Sequence, residues 1–310
     1  MPENFDVLNN NSSNSSSGSA FCRLLSLTVL DLSNNKLTGE LPDCWWNLQS
    51  LWFMDLSHNN FSGEIPAVKT SYNCSLESVH LAGNGFTGNF PSALEGCSTL
   101  VTLDIGSNKF FGELPDLWWN LQSLQFIDLS HNNFSGEIPA VKTSYNCSLE
   151  SVHLAGNGFI GNFPSAFEGC SWLVTLDIGN NKFFGSIPPW IGQSIPSLKI
   201  LSLRSNNFTG EIPSDLSKLS QLQLLDMANN GLTGSIPRAF ANLSSMKNPK
   251  INSTGQSLDD LEEHAIAEAE ILCESLETRA LQWRGARAML PLDGSPPPNP
   301  YIKPYLKNGV

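Results

Sequence analysis

Residues 195–230 have the sequence IPSLKILSLRSNNFTGEIPSDLSKLSQLQLLDMANN, which contains one complete copy of a repeated motif and the start of the next. From Leu198 to Pro213 it follows the spacing L-x-x-L-x-L-x-x-N-x-F-x-G-x-I-P, and the same spacing starts again 24 residues later at Leu222. A motif that restarts at a fixed interval indicates a solenoid, in which each repeat forms one rung and stacks on the next.

The same motif extends over most of the chain, with nine consecutive matches separated by 24 or 25 residues. The repeats begin at Leu24, Leu48, Asn73, Cys97, Leu121, Asn146, Cys170, Ile195 and Leu219, and the array ends near Asn242. The motif asparagines, called the ladder asparagines below, are Asn35, Asn59, Asn84, Asn108, Asn132, Asn157, Asn181, Asn206 and Asn230.

Each motif position has a physical role. In Leu30-Asp31-Leu32 the leucines alternate with a polar residue, which is the period-2 pattern of a strand with one buried face. The asparagine is expected inside the turn, where its amide satisfies backbone groups of neighbouring rungs. Gly39 permits a backbone geometry that a Cβ would resist, and Pro42 fixes φ where the chain turns away from the sheet.

The segments LTGELP, FSGEIP and LTGSIP, together with residues 195–230, resemble the plant-specific leucine-rich repeat of receptor-like proteins and receptor-like kinases. The resemblance covers Leu24 to roughly Ile251. It implies an α/β-type open solenoid, a right-handed horseshoe with a parallel sheet on its concave face and 3-10 helices and loops on its convex face. It also implies an ectodomain, outside the cell or at the plasma membrane, that binds a peptide or protein ligand or a co-receptor ectodomain in plant signalling or defence.

The motif boundaries divide the chain into five segments. We expect a disordered Ser/Asn-rich leader over residues 1–23, nine repeats over 24–242 and a degenerate end of the array over 243–256. An acidic amphipathic helix is predicted over 257–283, and a Pro-rich extended tail over 284–310. Because the sequence has neither the charge pattern of a signal peptide nor an apolar stretch of about 20 residues, we expect a truncated receptor-like chain that does not itself insert into a membrane.

A second level of repetition lies within the array. Residues 45–113 and 118–186 align at an offset of 73 residues with seven differences. Because the copied unit is three whole rungs, the duplication lengthens the solenoid without interrupting its core.

Charge excludes one class of partner and leaves three interpretations of the function. Acidic residues outnumber basic residues by 29 to 17, and the net charge of −12 argues against nucleic acid. The favoured interpretation is the ligand-binding module described above, with no enzymatic activity and no cofactor. The chain also resembles, in repeat type and length, the inhibitors of secreted pathogen polygalacturonases. A truncated product without function is the third interpretation.

The candidate ligand-binding residues lie between the leucines of the L-x-L strands and just beyond them. They are Asp55, His58, His80, Asp104, Asp128, His131, His153, Asp177 and Arg204. Stacking of the rungs places histidines between aspartates, an arrangement that could hold a metal ion or act as a general base. Because no activated nucleophile converges on it, we favour a solvated acidic face with two incidental histidines and expect no metal.

Cysteines and glycosylation sequons bear on the cellular compartment. Cys97 and Cys170 occupy buried first positions of their rungs, which favours free buried thiols, although Cys74–Cys97 and Cys147–Cys170 disulfides are geometrically possible. Ten N-x-S/T sequons agree with a secreted ancestry. The glycosylation candidates are Asn60, Asn73, Asn133, Asn146, Asn207 and Asn242.

Two further motifs have simple structural explanations. The G-x-G-x-x-G matches at residues 83–88 and 156–161 contain a ladder asparagine and the repeat glycine, so we do not assign them to a dinucleotide. For the tryptophans that follow the repeat proline, partial core packing is favoured over a platform for an aromatic ligand. These tryptophans are Trp45, Trp46, Trp118 and Trp119.

Overall fold

The structure is a computed structural model that describes residues 23–67, 74–140 and 147–247. These residues lie in the first of two units into which the chain divides, which comprises residues 1–256. The predicted leader before residue 23, the helix over 257–283 and the tail over 284–310 lie outside the described residues, as do the sequons at Asn73 and Asn146.

Each rung contributes one short strand to a first parallel sheet, and the order of the strands in that sheet follows the chain. The leucines of the L-x-L pattern point into the core, as the period-2 pattern predicts. The strands of the first sheet are β1 (Val29–Asp31), β3 (Phe53–Asp55), β5 (Ser78–His80), β7 (Thr102–Asp104), β9 (Phe126–Asp128), β11 (Ser151–His153), β13 (Thr175–Asp177), β15 (Ile200–Ser202) and β17 (Leu224–Asp226).

The second half of the motif, N-x-F-x-G, follows the L-x-L strand in each rung. It contributes one strand from each rung to a second parallel sheet. Its strands are β2 (Thr38–Gly39), β4 (Asn60–Glu64), β6 (Gly85–Gly88), β8 (Lys109–Glu113), β10 (Asn133–Glu137), β12 (Gly158–Gly161), β14 (Lys182–Ser186), β16 (Asn207–Glu211) and β18 (Gly231–Thr233). The motif glycines take positive φ, for example +80° at Gly63 and +85° at Gly112. The missing Cβ leaves room for a side chain of the preceding rung at several of these glycines, for example Glu40 at Gly63 and Asn89 at Gly112.

Short helices follow the second sheet, and the repeat prolines begin several of them. Pro91, Pro164, Pro213 and Pro237 precede 3-10 helices with φ between −58° and −64°, values that the pyrrolidine ring imposes. The 3-10 helices are Trp45–Asn47, Ser92–Gly96, Asp116–Asn120, Ser165–Gly169, Ser214–Lys218 and Arg238–Asn242, and the α-helical turns are α1 (Ile191–Ser194) and α2 (Ser244–Lys247). The predicted α/β-type solenoid is therefore confirmed.

The ladder asparagines join consecutive rungs and both sheets. Asn132 donates from Nδ2 to the carbonyl oxygens of Leu129 and Ser130 in its own turn, at 3.2 and 3.0 Å, and to Ile105 of the preceding rung, at 3.0 Å. Its Oδ1 accepts the N–H of Phe110, at 3.0 Å, from the second-sheet strand of the preceding rung. The same cross-rung acceptance occurs at the seven other ladder asparagines from Asn59 to Asn230.

A row of phenylalanine rings fills the core beneath the second sheet. The rings stack from rung to rung at centroid distances of 6.0–6.5 Å, and each is at most 1% exposed. The row contains Phe61, Phe86, Phe110, Phe134, Phe159, Phe183 and Phe208. The backbone N–H of each of these phenylalanines donates to the ladder asparagine of the next rung. Ring stacking and hydrogen bonding therefore favour the same alignment of neighbouring rungs.

Two disulfides connect neighbouring rungs. Cys74 bonds Cys97, and Cys147 bonds Cys170, each with a Cα–Cα distance of 4.9 Å. The preference for free buried thiols was therefore wrong. In each pair one cysteine is the second residue of its rung and the other is the first residue of the next rung. Stacking therefore brings their Cα atoms to about the separation of neighbouring strands, which suits a disulfide. Cys44 is disulfide-bonded as well.

The first prediction tests the ladder. Asn132→Ala removes three donated bonds and one accepted bond at a side chain that is 5% exposed, and it leaves buried backbone groups of two rungs unpaired. We expect the free energy of unfolding to fall by about 1–3 kcal/mol or more. Chemical denaturation measures the loss, with Asn133→Ala at the adjacent exposed position as the control. Equal stability of the two variants would contradict the role of the ladder.

The second prediction concerns the contact between two helical turns. A Cβ on Gly192 in α1 would overlap the backbone carbonyl oxygen of Asp215 in the next rung, and a backbone atom cannot move aside as a side chain does. We expect Gly192→Ala to lower stability by roughly 1–3 kcal/mol. Gly96→Ala is the matched control, since no atom lies within 4 Å of the added Cβ. A thermal midpoint equal to that of the control would show that the two turns are not closely packed.

Candidate functional site

The candidate site is a column of side chains that point away from the core on the first sheet. In register order the column contains Asp31, Asp55, His80, Asp104, Asp128, His153, Asp177, Ser202 and Asp226. Consecutive members are direct partners on neighbouring strands, so the structure brings together six of the nine predicted residues. Strand spacing of ~4.8 Å makes the column a continuous row of polar groups.

Each aspartate of the column is held by the backbone that follows it. Asp55 Oδ1 accepts the N–H of Ser57 at 2.8 Å, and Asp128 Oδ1 accepts that of Ser130 at 2.7 Å. The same bond occurs at Asp31, Asp104, Asp177 and Asp226, always with the residue two positions later. This local bond closes the end of the strand and orients the carboxylate. The aspartates therefore have a structural role that does not prevent Oδ2 from contacting a ligand.

The two histidines of the column are buried. His80 is 8% exposed, its Nε2 lies 2.8 Å from Ser78 Oγ, and its ring lies 5.8 Å from that of Phe53. His153 is 7% exposed, and its partners Ser151 and Phe126 repeat those contacts at 2.9 and 5.6 Å. The expectation of a fully solvated face was therefore wrong at both histidines, because a phenylalanine of the preceding rung and a serine of the same strand enclose each imidazole.

One carboxylate of the column has a strongly altered affinity for protons. Burial raises the pKa of Asp104 from its ordinary value of 3.8 to about 7, and the neighbouring carboxylate of Asp128 raises it further toward that value. His80 and the N–H of Gly106 act in the opposite direction. Asp104 lies between a histidine and an aspartate, so its protonation sets the charge at the centre of the column.

The other three predicted residues lie beside the column. His58 and His131 occupy turns at φ of +53° and +52°, are exposed, and rest on Gly83 and Gly156 of the next rung. A Cβ on Gly83 would lie 2.7 Å from His58 Nδ1, so glycine is needed there for the imidazole to pack. Arg204 Nε bonds Asp226 Oδ2 at 2.6 Å and neutralises the last aspartate of the column.

The structure bears on four further features of the sequence: a metal site, a membrane span, the glycine motifs and the tryptophans. Within the described ranges, no group of three or more His, Cys, Asp or Glu side chains is arranged to hold a metal ion, and no helix has the length and apolar character needed to cross a bilayer. Residues 85–88 and 158–161 of the glycine motifs form strands of the second sheet. Trp45, Trp46 and Trp119 are 4–6% exposed, so their predicted core packing is confirmed, whereas the side chain of Trp118 lies outside the described part of the chain.

A set of exposed apolar residues was not predicted from the sequence. Phe111, Ile160 and Phe184 are 42–46% exposed on the outward face of the second sheet, and Trp172 is 67% exposed at the start of another rung. The sequence did contain a sign that Phe111, Ile160 and Phe184 are unusual. Each follows the core phenylalanine of its rung, and the six other rungs have serine or threonine at that position. Those residues are Thr38, Ser62, Thr87, Ser135, Thr209 and Thr233.

Family profiles match most of the array. One profile, described as leucine rich repeat, matches residues 7–61 and 74–134. A second with the same description matches residues 148–170, 172–194, 197–219 and 221–243. Together they cover about two thirds of the chain. A search of curated proteins gave no match.

Solved structures with the same architecture include plant receptor ectodomains. The Arabidopsis receptor kinase HAESA, in complex with the peptide hormone IDA and the co-receptor SERK1, is 34% identical with a TM-score of 0.66 over 71% of this chain and 36% of its own. The ectodomain of GASSHO1/SCHENGEN3 from Arabidopsis thaliana, in complex with CASPARIAN STRIP INTEGRITY FACTOR 2, is 32% identical with a TM-score of 0.63, over 72% of this chain and 29% of its own. The chain therefore spans about a third of the length of these two ectodomains.

A third similar structure has a different role. A plant ice-binding protein is 25% identical with a TM-score of 0.55, over 67% of this chain and 74% of its own. The shared architecture therefore does not decide the function, which has to be argued from the surface residues.

The third prediction concerns pH. Because the folded pKa of Asp104 is raised, the folded chain holds a proton that the unfolded chain releases between about pH 3.8 and 7. The free energy of unfolding of the parent should therefore fall as pH rises through this window. The Asp104→Asn variant has no carboxyl group to ionise at this position, so its stability should not show that fall. We expect the variant to be more stable than the parent at pH 7.5 by roughly 1–2 kcal/mol, since the carboxylate is only partly buried.

The control for this prediction is Asp177→Asn. Asp177 also accepts an N–H from a glycine two residues later, but its neighbours in the column are His153 and Ser202 rather than a second carboxylate. Denaturation curves of the two variants and the parent from pH 4 to 8 give the comparison. Parallel stability profiles for Asp104→Asn and the parent would show that Asp104 does not retain its proton.

Proposed function

From the premise that this chain belongs to the leucine-rich repeat family and has the fold of plant receptor ectodomains, we propose that it is an extracellular recognition module. Its ligand is a peptide or protein that lies along the polar column of the first sheet. The module acts by binding and has no catalytic role.

The observation that carries this proposal is the row of oriented carboxylates on the first sheet. The backbone holds Oδ1 of each aspartate, so the carboxylates lose little conformational freedom when a ligand binds to Oδ2. Strand stacking places the polar groups of the column in a row at intervals of ~4.8 Å, so an extended peptide that lies along the row meets several carboxylates in turn. An extended segment with several lysine or arginine residues therefore has the matching charge and shape.

Two other observations support a location outside the cell. Cross-rung disulfides persist in oxidising compartments and are rare in the cytosol. The exposed sequons Asn60, Asn133, Asn207 and Asn242 are compatible with glycan attachment. The HAESA complex contains a peptide hormone and a co-receptor, and by analogy a co-receptor ectodomain is a second class of partner for this chain at the plasma membrane.

The fourth prediction tests the column directly. Purified chain should bind basic peptides from an arrayed library of extended ten-residue sequences in preference to neutral or acidic peptides of equal length. Asp128→Asn keeps the acceptor for the N–H of Ser130 and removes one carboxylate, so at pH 8, above the pKa of Asp104, affinity for the best peptide should fall about tenfold, which is 1.4 kcal/mol. Binding should also weaken as salt rises. Biolayer interferometry measures both effects.

The control is Glu137→Gln, which removes the same charge from the same rung on the second sheet. Equal losses for the two variants would mean that only net charge matters, and the proposed binding face would then be wrong. The same assay should include a secreted fungal polygalacturonase. Inhibition of that enzyme, without peptide binding, would favour the inhibitor interpretation.

A further inference from the structure

Three glycosylation sequons occupy the same position of three rungs. Asn60, Asn133 and Asn207 each begin a strand of the second sheet and are exposed. The middle residue of each sequon is a phenylalanine of the buried row. Because strand side chains alternate, the acceptor asparagine and the hydroxyl residue of each sequon both point outward. All three acceptors therefore lie on one outward face of the second sheet.

The cross-strand neighbours of these acceptors differ. Phe111 is the direct partner of Asn133, and Phe184 is the direct partner of Asn207. The partner of Asn60 in the same register is Thr38. Residues paired in this way on parallel strands point to the same side of the sheet and lie about 4.8 Å apart. Two of the three acceptors thus stand beside an aromatic ring, and the third provides an internal comparison.

The two rings are otherwise left largely uncovered. Phe111 and Phe184 are each 46% exposed, whereas six of the nine rungs have serine or threonine at this position. The third apolar residue, Ile160, has Lys182 as its partner and no aromatic ring, so it stands beside no acceptor and offers no aromatic face. Each of the two exposed rings therefore lies beside an acceptor asparagine, and a group attached to that asparagine is within reach of the ring.

We propose that Phe111 and Phe184 are stacking platforms for the first N-acetylglucosamine of glycans attached to Asn133 and Asn207. One face of this sugar presents axial C–H groups, which pack on an aromatic face as other apolar groups do. The proposal rests on the proposed extracellular location, because attachment requires passage through the secretory route. A glycan on Asn60 has no such platform.

The attachment chemistry uses only the acceptor and a lipid-linked donor. The amide nitrogen of the asparagine forms a bond to C1 of an oligosaccharide carried on a lipid pyrophosphate. The bond from C1 to the pyrophosphate oxygen breaks, the amide loses one proton, and the lipid pyrophosphate leaves. No oxidation or reduction takes place, and the phenylalanine acts afterwards by packing alone.

Stacking would assign different roles to the two sheets. Glycans held flat against Phe111 and Phe184 cover the outward face of the second sheet near the middle and the end of the array. Protein partners are thereby excluded from that face, and the first sheet is left for the ligand. The two apolar rings are also removed from water without a protein partner.

The fifth prediction uses the full chain, secreted from eukaryotic cells behind an added signal peptide. Versions that retain only Asn60, only Asn133 or only Asn207 as acceptor are made by Asn→Gln at the other sequons. An endoglycosidase trims each glycan to one N-acetylglucosamine, whose ring carbons are labelled with carbon-13. We expect ring-current displacement of the sugar resonances to higher field at Asn133 and Asn207, and resonances near those of the free sugar at Asn60.

Substitutions separate stacking from other effects. Phe111→Thr should abolish the displacement at Asn133 and leave that at Asn207 unchanged, and Phe184→Thr should do the reverse. Threonine occupies this position in other rungs, so both variants are expected to fold. Thr38→Phe should create the displacement at Asn60. Equal resonances at all three acceptors, insensitivity to these substitutions, or failure to glycosylate Asn133 and Asn207 would overturn the proposal.

Thermal denaturation provides a second measurement. The trimmed sugar should raise the thermal midpoint by roughly 2–4 °C at Asn133 and Asn207, and the increase should disappear when the neighbouring phenylalanine is replaced. None of these measurements involves a peptide ligand. Loss of peptide binding with intact stacking would count against the proposed function alone, and the converse result would count against the stacking alone.

Discussion

The structure depends on one constraint, the need to pair backbone polar groups where the chain turns between the two sheets. Such turns are normally solvated, but in a solenoid each turn is covered by the next rung, and water cannot reach its carbonyl and N–H groups. A single asparagine side chain has both donors and an acceptor, and it serves two rungs at once, as Asn132 does with Leu129 of its own rung and Phe110 of the preceding rung. One rung therefore contains 24 or 25 residues, the length of chain that places the next ladder asparagine in the equivalent turn of the following rung.

The other core features follow from that register. In seven rungs the N–H that the next ladder asparagine accepts belongs to a second-sheet phenylalanine of the stacked row. Hydrogen bonding fixes the height of each ring, and the rings then meet face to face at about 6 Å. The disulfides between Cys74 and Cys97 and between Cys147 and Cys170 depend on the same register, since stacking brings the starts of two rungs together.

The sequence predicts those features that repeat within a rung and fails where contacts between rungs decide the outcome. The strand around Leu30 follows from spacing alone, because the period of the side chains gives their direction. The burial of His80 could not be predicted in this way, since it depends on Phe53, which precedes it by 27 residues and becomes a neighbour only through stacking. The pKa of Asp104 has the same origin, because burial and Asp128 on the next strand determine it.

The internal duplication shows how the two outward faces can change while the core stays constant. Of its seven differences, Thr87/Ile160, Thr99/Trp172 and Glu113/Ser186 change residues outside the core, whereas the ladder asparagines and ring positions of the two copies are identical. Copying three rungs also created new neighbours. Phe111 belongs to the first copy and Asn133 to the second, so their pairing exists only because the copies adjoin. A solenoid can thus acquire a new surface site by duplication alone, since each rung presents its outward residues to whichever rung follows it.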